Sequence, residues 1–218
     1  MTLQLYAHPF SSYCQKVLIT LYENGTPFEW RLLAPDSPDV AAEHAALWPL
    51  GRMPVLRDGD RAVVESSVIV EYLDLHHPGP VRMLPEDRRA ALEVRALDRF
   101  FDNYVQTPMQ KIVLDHIRPA EVRDPHGVDE ARTLLETAYR WLDERMATRH
   151  WACGEFSLAD CAAAPALFYA DWVHPVDESL ANLRSYRQRL LARPSYARAV
   201  DEARPYRQFF PPGAPDRD

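Results

Sequence analysis

Two adjacent serines, Ser11 and Ser12, follow the alternating segment Leu3-Gln4-Leu5-Tyr6 and open an amphipathic run that ends near Asn24-Gly25. This is the pattern of a strand turning into a helix, and such a corner leaves backbone N–H groups unpaired at the positive end of the helix dipole. An anion fits there, and with two hydroxyls beside it the corner is a candidate thiolate site. Serine also caps helices in any fold, so the pair alone admits both readings. A second pair with chemical potential is Glu65-Ser66. A carboxylate beside a helix N-terminus can hold an ammonium, while the serine hydroxyl and the uncovered N–H groups hold a carboxylate. A plain capped helix carries the same residues. The third group is Arg52-Met53-Pro54. Proline at the start of a strand costs no central ladder bond, and Arg52 can meet a ligand carboxylate or only water.

The elements needed to position these residues are legible in the pattern. Val17, Leu18, Leu21 and Tyr22 have helical spacing, Phe28 to Leu32 alternates as a strand, and Pro54 to Arg57 with Ala62 to Val64 flank a turn at Asp58-Gly59-Asp60. Ser66 is then expected to cap a helix through Val68, Ile69, Tyr72 and Leu73. The stretch with Pro35 and Pro38 between the second strand and Pro54 reads as polar and irregular. After the break at His76-His77-Pro78-Gly79-Pro80 only helical periods follow: Glu86 to Asp115, Asp129 to Thr148, Ser157 to Val173, Leu180 to Leu191 and Tyr196 to Ala203. Pro108 should kink the first of these. Ser157 and Asp160 have capping-box spacing, and Ser157→Ala should cost about 1 kcal/mol. The tail around Phe209-Phe210-Pro211-Pro212 has no period and reads as surface.

Composition bounds the function classes. The 218 residues are 47% apolar and 26% charged, ordinary for a soluble globular chain, and a net charge of −7 argues against a nucleic-acid surface. Three cysteines without metal spacing and no secretory apolar segment fit a reducing cytoplasm. No apolar run approaches the roughly 20 residues of a membrane span, and the eight histidines form no ligand set, so no metal is expected.

Ser11-Ser12-Tyr13-Cys14-Gln15-Lys16-Val17 resembles the Cys-Pro-Tyr-Cys-x-Lys-Val segment of glutaredoxins with the first cysteine replaced by serine, the replacement that marks serine-type glutathione transferases. Trp48 to Pro54 is similar to the Asn-Pro-x-Gly-x-Val-Pro segment of those transferases, with Trp48 where asparagine is usual, and Glu65-Ser66 and Gly154 to Asp160 match further motifs in order. The resemblance, to a bacterial-like cytosolic-type glutathione S-transferase, spans nearly the whole chain. It implies an α/β plus all-α fold: a thioredoxin-like glutathione-binding domain over 1–77, a linker over 78–86 and an all-helical domain over 87–218.

It also implies glutathione as co-substrate, a small electrophile as partner, a homodimer and a detoxifying role. Ser11 would donate to the glutathione sulfur, with Ser12 in reserve. Met53, ahead of a cis Pro54, would pair its backbone with the cysteinyl part, and Glu65 with Ser66 would take the γ-glutamyl head, with Arg52 nearby. His8, Phe10, Tyr104, Met109 and Ile112 are candidates for the second-substrate pocket. Asp98 or Asp102 would approach the partner subunit's glutathione site. Three alternatives stay open: a redox protein using Cys14, a non-catalytic binding protein on the same scaffold, and an isomerase similar to maleylacetoacetate isomerases, whose segment Ser-Ser-Cys-x-x-Arg-Val differs at Tyr13 and Lys16.

Overall fold

The computed structural model describes residues 2–218. Strand β1 (Leu3–Ala7) leads into helix α1 (Ser12–Glu23) and strand β2 (Phe28–Leu32); helix α2 (Pro38–Leu47), strands β3 (Val55–Asp58) and β4 (Arg61–Val64) and helix α3 (Ser66–His76) follow. The four strands form one sheet in the order β2-β1-β3-β4, with β1 parallel to β2 and antiparallel to β3, and β3 antiparallel to β4. Alternation along β1 sorts its residues between two faces. Leu3, Leu5 and Ala7 enter the apolar core with α1, whereas Tyr6 turns the other way, donates to Glu43 of α2 at 2.9 Å and lies tilted beside the His44 ring. The sheet is thus covered on both sides, the thioredoxin-like arrangement.

Helix α2 is a correction to the irregular stretch expected there. Its sequence carries little amphipathic signal because only His44 is buried. Pro38 lies in its first turn, where the missing N–H has no helical partner to lose. A second correction concerns α3. Ser66 is its first residue, and the cap position falls on Glu65, which makes no side-chain capping bond and has φ 68° and ψ 117°.

Beyond the linker the chain is helical: α4 (Arg88–Phe100), α5 (Thr107–His116), α6 (Pro125–Met146), α7 (Leu158–Val173), α8 (Ala181–Ala192) and α9 (Pro194–Ala203). A π-helical stretch, Phe101–Gln106, joins α4 to α5 directly ahead of Pro108. Proline lacks the N–H that would bond a carbonyl one turn earlier, and in the wide turn ahead of it the Asp102 carbonyl takes both the N–H and, at 2.9 Å, the hydroxyl of Thr107. The linker is anchored by Asn24, which donates to the Val81 carbonyl (3.1 Å) and accepts from its N–H (2.9 Å). Gly79 passes so close to Asn24 that a Cβ there would collide with it.

The two parts meet along α1, which contacts α3, α7 and α9. Helix α7 is apolar nearly all round and buried over Leu158 to Trp172, the expectation for a central helix. The tail departs from the exposed segment expected. Phe210 is buried against Trp172 and Tyr169, while Arg217 pairs with Asp171 and Asp218 with Arg204 and Arg207. No helix among the described residues is long and apolar enough to cross a membrane.

Asp160 does more than complete a helix cap. Fully buried, it accepts from the Ser157 N–H (3.0 Å), the Ala152 N–H (2.9 Å) and the Tyr186 hydroxyl (2.6 Å), and burial holds its carboxyl above the usual range. Asp160→Ala strands three buried donors and should lower the unfolding free energy by about 3 kcal/mol or more. Ser157→Ala should cost about 1 kcal/mol. Urea denaturation of both variants gives the comparison.

Candidate functional site

A cleft of about 770 Å³ opens where the sheet's connecting loops face the helical part. One wall carries Phe10, Ser11, Ser12, Tyr13, Met53, Pro54, Glu65 and Ser66, three groups separated by roughly forty and ten residues of chain and brought together by the order of the strands. The corner is built by a tight turn: the Ser11 N–H donates to the His8 carbonyl (3.0 Å) and the Phe10 N–H to His8 Nδ1 (3.1 Å). Ser11 is the N-cap of α1, its Oγ accepting from the Cys14 N–H at 3.4 Å, which leaves the hydroxyl proton uncommitted. Ser12, the first helical residue, is buried, and its Oγ accepts from Gln106 Nε2 at 2.6 Å.

The Met53-Pro54 peptide bond is cis. Its loop depends on α2: Gly51, at φ 65°, donates to the Trp48 carbonyl (2.9 Å), and the His44 ring bonds the Arg52 carbonyl at 3.0 Å. Arg52 itself is exposed at the rim of the cleft. Glu65 is exposed and Ser66 buried at the N-terminus of α3, so both a carboxylate and uncovered N–H groups face the same cleft.

The helical wall carries Arg99, Asp102, Asn103, Gln106 and Met109, with Tyr169 from α7 and Phe209 and Phe210 from the tail. Of the five second-substrate candidates, Phe10 and Met109 line the cleft; His8, Tyr104 and Ile112 lie outside it. His8 holds the corner's turn and packs edge-on against Tyr206, with burial lowering its pKa. Tyr104 is half exposed beside Phe100, and Ile112 is core.

Three residues were not anticipated in the sequence. Gln106 and Tyr169 carried no signal beyond helical periodicity. Lys16 did: a cation amid the apolar residues of α1, with Asp98 and Asp102 one helical turn apart downstream. Its ammonium, 1% exposed, pairs with Asp98, with Asp102 (3.0 Å) and with the Ser67 hydroxyl (2.9 Å), and Arg99 reaches the same carboxylates. Asp98 and Asp102 therefore face Lys16 of their own chain. Burial pushes the neighbouring Tyr13 phenol up to about 12 and the Cys14 thiol up to about 11, so both stay protonated at neutral pH. Among the described residues no group of three or more metal-ligand side chains gathers.

Residues 5–81 match the family "Glutathione S-transferase, N-terminal domain" and residues 125–189 the family "Glutathione S-transferase, C-terminal domain". A solved glutathione S-transferase from Methylobacterium radiotolerans, in complex with glutathione sulfonate, is 30% identical, superposes with a TM-score of 0.78 and covers 92% of this chain and 95% of its own. The chain belongs to the glutathione S-transferase family. Among curated relatives, glutathione S-transferase GstB of Escherichia coli is 27% identical over 195 residues, 87% of this chain and 93% of the relative. A probable maleylacetoacetate isomerase of Vibrio cholerae is 27% identical over 215 residues, 94% of this chain and 98% of the relative. The family carries the activity, glutathione S-transferase, with glutathione as co-substrate.

The cleft's two walls are tied together by the Lys16 ion pairs. Lys16→Met leaves two buried carboxylates without their ammonium and should cost about 3–5 kcal/mol of stability. Urea unfolding measures the loss, and Lys16→Met combined with Asp98→Asn and Asp102→Asn should recover part of it.

Proposed function

We propose that this transferase activates the glutathione thiol at Ser11 and delivers the thiolate to a small, apolar electrophile held by Phe10, Met109 and the aromatic residues of the helical wall. The observation that carries the reading is that Ser11, Met53-Pro54 and Glu65-Ser66 open onto one cleft. In it the Met53 backbone pairs with the cysteinyl unit as an added strand, Glu65 takes the γ-glutamyl ammonium, and Ser66 with the α3 N–H groups takes its carboxylate. Arg52, at the rim, takes the glycyl carboxylate. Residues 1–77 bind the tripeptide and 87–218 shape the pocket for the electrophile.

A free thiol near pKa 8.5 is mostly protonated at neutral pH. The Ser11 hydroxyl and the positive end of α1 favour the thiolate, the proton leaving to solvent. The sulfur electron pair then forms the S–C bond as a leaving group departs, or adds to an activated double bond whose electrons move to its acceptor group. Cys14 has no part in this: its buried, protonated thiol argues against the redox alternative. The relative from V. cholerae, together with the Ser11-Ser12 pair, favours glutathione-dependent isomerisation as a second reading.

We assign the enzyme to the cytoplasm, acting on reactive electrophiles as a homodimer. The exposed Val68 and Leu75 of α3 and Leu92 of α4 supply apolar surface for the second copy. Sedimentation should give a dimer at micromolar protein.

Ser11→Ala should raise the pKa of bound glutathione and slow transfer at neutral pH with little change in affinity; Ser12→Ala should do less, and Cys14→Ala should retain conjugation. A pH–rate profile for the three variants with one electrophile decides, and an inactive Cys14→Ala would return the chemistry to thiol–disulfide exchange. Glu65→Ala and Ser66→Ala should each weaken glutathione binding by about 1–3 kcal/mol in calorimetry. Assaying a panel of electrophiles and maleylacetone with glutathione separates transfer from isomerisation.

A further inference from the structure

We propose that Gln106 is a positioning residue for thiol activation, holding Ser12 so that its hydroxyl serves as a second hydrogen-bond donor to the glutathione sulfur. The inference rests on the glutathione reading above and deepens it.

Gln106 ends the π-helical stretch, is 2% exposed and lines the cleft. Its Nε2 donates to Ser12 Oγ at 2.6 Å, across 94 positions of chain, while its Oε1 is buried with no hydrogen-bond partner. Burying an amide with its acceptor unpaired is costly, so the retained bond to Ser12 must be set against that cost. Gln15 also buries an unpaired Oε1, but its amide nitrogen is spent on the Pro9 carbonyl and the Tyr169 hydroxyl, and it does not line the cleft.

A serine hydroxyl has one proton and two lone pairs. With Gln106 donating into a lone pair, the Ser12 proton is free, and Ser12 stands on the cleft wall next to Ser11, whose own Oγ likewise accepts, from the Cys14 N–H. The corner therefore offers two hydroxyl protons to one anion. The chain N–H···O–H···S⁻ also polarises the Ser12 hydroxyl, since each bond in such a chain strengthens the next. π-Helical turns recur at functional sites because they re-aim a side chain without breaking the helix, and this one brings Gln106 to Ser12.

A bond serving only to join the two domains would affect stability alone, and the sulfur's acidity tells the two roles apart. In the full-length enzyme, Gln106→Glu keeps the shape but offers only acceptors, which take the Ser12 proton away from the sulfur. Gln106→Met removes the donor and keeps the bulk. The readouts are the pKa of bound glutathione from thiolate ultraviolet absorbance, the affinity for S-methylglutathione, which has no thiol to ionise, and the melting temperature.

Gln106→Glu should raise the thiol pKa by about one unit, a roughly tenfold loss of thiolate well below the pKa. Gln106→Met should raise it less, and S-methylglutathione affinity should stay within about twofold in both. Ser12→Ala combined with Gln106→Glu should match Ser12→Ala alone, because Gln106 acts through Ser12. An unmoved thiol pKa with S-methylglutathione still bound would overturn the role of Gln106 and leave the glutathione site standing, as would shifts in the double variant that simply add. Failure of the wild-type enzyme to bind S-methylglutathione would overturn both.

Discussion

A buried ammonium needs anions close by, and Lys16 finds its own in the other domain. It lies in the second turn of α1, the helix whose N-terminus forms the candidate thiolate corner, and its partners Asp98 and Asp102 lie on α4 and on the π-helical stretch that supplies the opposite wall. Separating the walls would expose or strand these charges, a cost of several kcal/mol that no surface ion pair would impose. The corner, the cleft and the helical wall are thereby held in register. Asp102 also lines the cleft and Ser67 next to the glutathione motif shares the ammonium, so one charge cluster holds both domains and both edges of the site.

What the sequence made legible was whatever depends on local chemistry. The serine corner, the hairpin at Gly59, the cis proline expected at Pro54 from the resemblance and the Ser157-Asp160 cap are all governed by a few consecutive residues, and the structure contains each of them. Helix α2 escaped because it buries little beyond His44 and so has no apolar stripe, although its one buried side chain holds the Met53 loop. The docked tail escaped because aromatic packing of Phe210 and ion pairs to Arg204, Arg207 and Asp171 are long-range and leave no period. His8 stood near the pocket as a residue of the loop before Ser11, but its ring holds the turn instead. Tyr104 and Ile112 were expected there from the apolar face of the long helix, and which face a residue takes depends on helix rotation, which a π-helical turn alters.

The Glu65-Ser66 junction shows local preference yielding to the site. An ordinary N-cap would be an extended serine or aspartate bonding back to the helix. Here the position is a glutamate at φ 68°, a region that costs a non-glycine residue on the order of 1–3 kcal/mol and persists only where the surroundings impose it. The Ile69 N–H still bonds the Glu65 carbonyl at 2.8 Å, so the helix begins in register while the carboxylate is left exposed at the cleft. Forgoing the side-chain cap leaves the N–H groups of α3 open, as the proposed binding of a ligand carboxylate would need.

The two walls of the cleft differ in the groups they present. The sheet-side wall presents hydroxyls, helix N-termini and the backbone of a cis-proline loop, groups brought together by the strand order. The helical wall presents Met109, Tyr169 and Phe210, side chains on three separate segments, one of them a tail fastened by ion pairs at its far end. In the proposed complex an electrophile resting on Phe210 would sense every change in how the tail is seated. The shape of this second half of the cleft can therefore change with the seating of the tail while the candidate thiolate corner stays as it is.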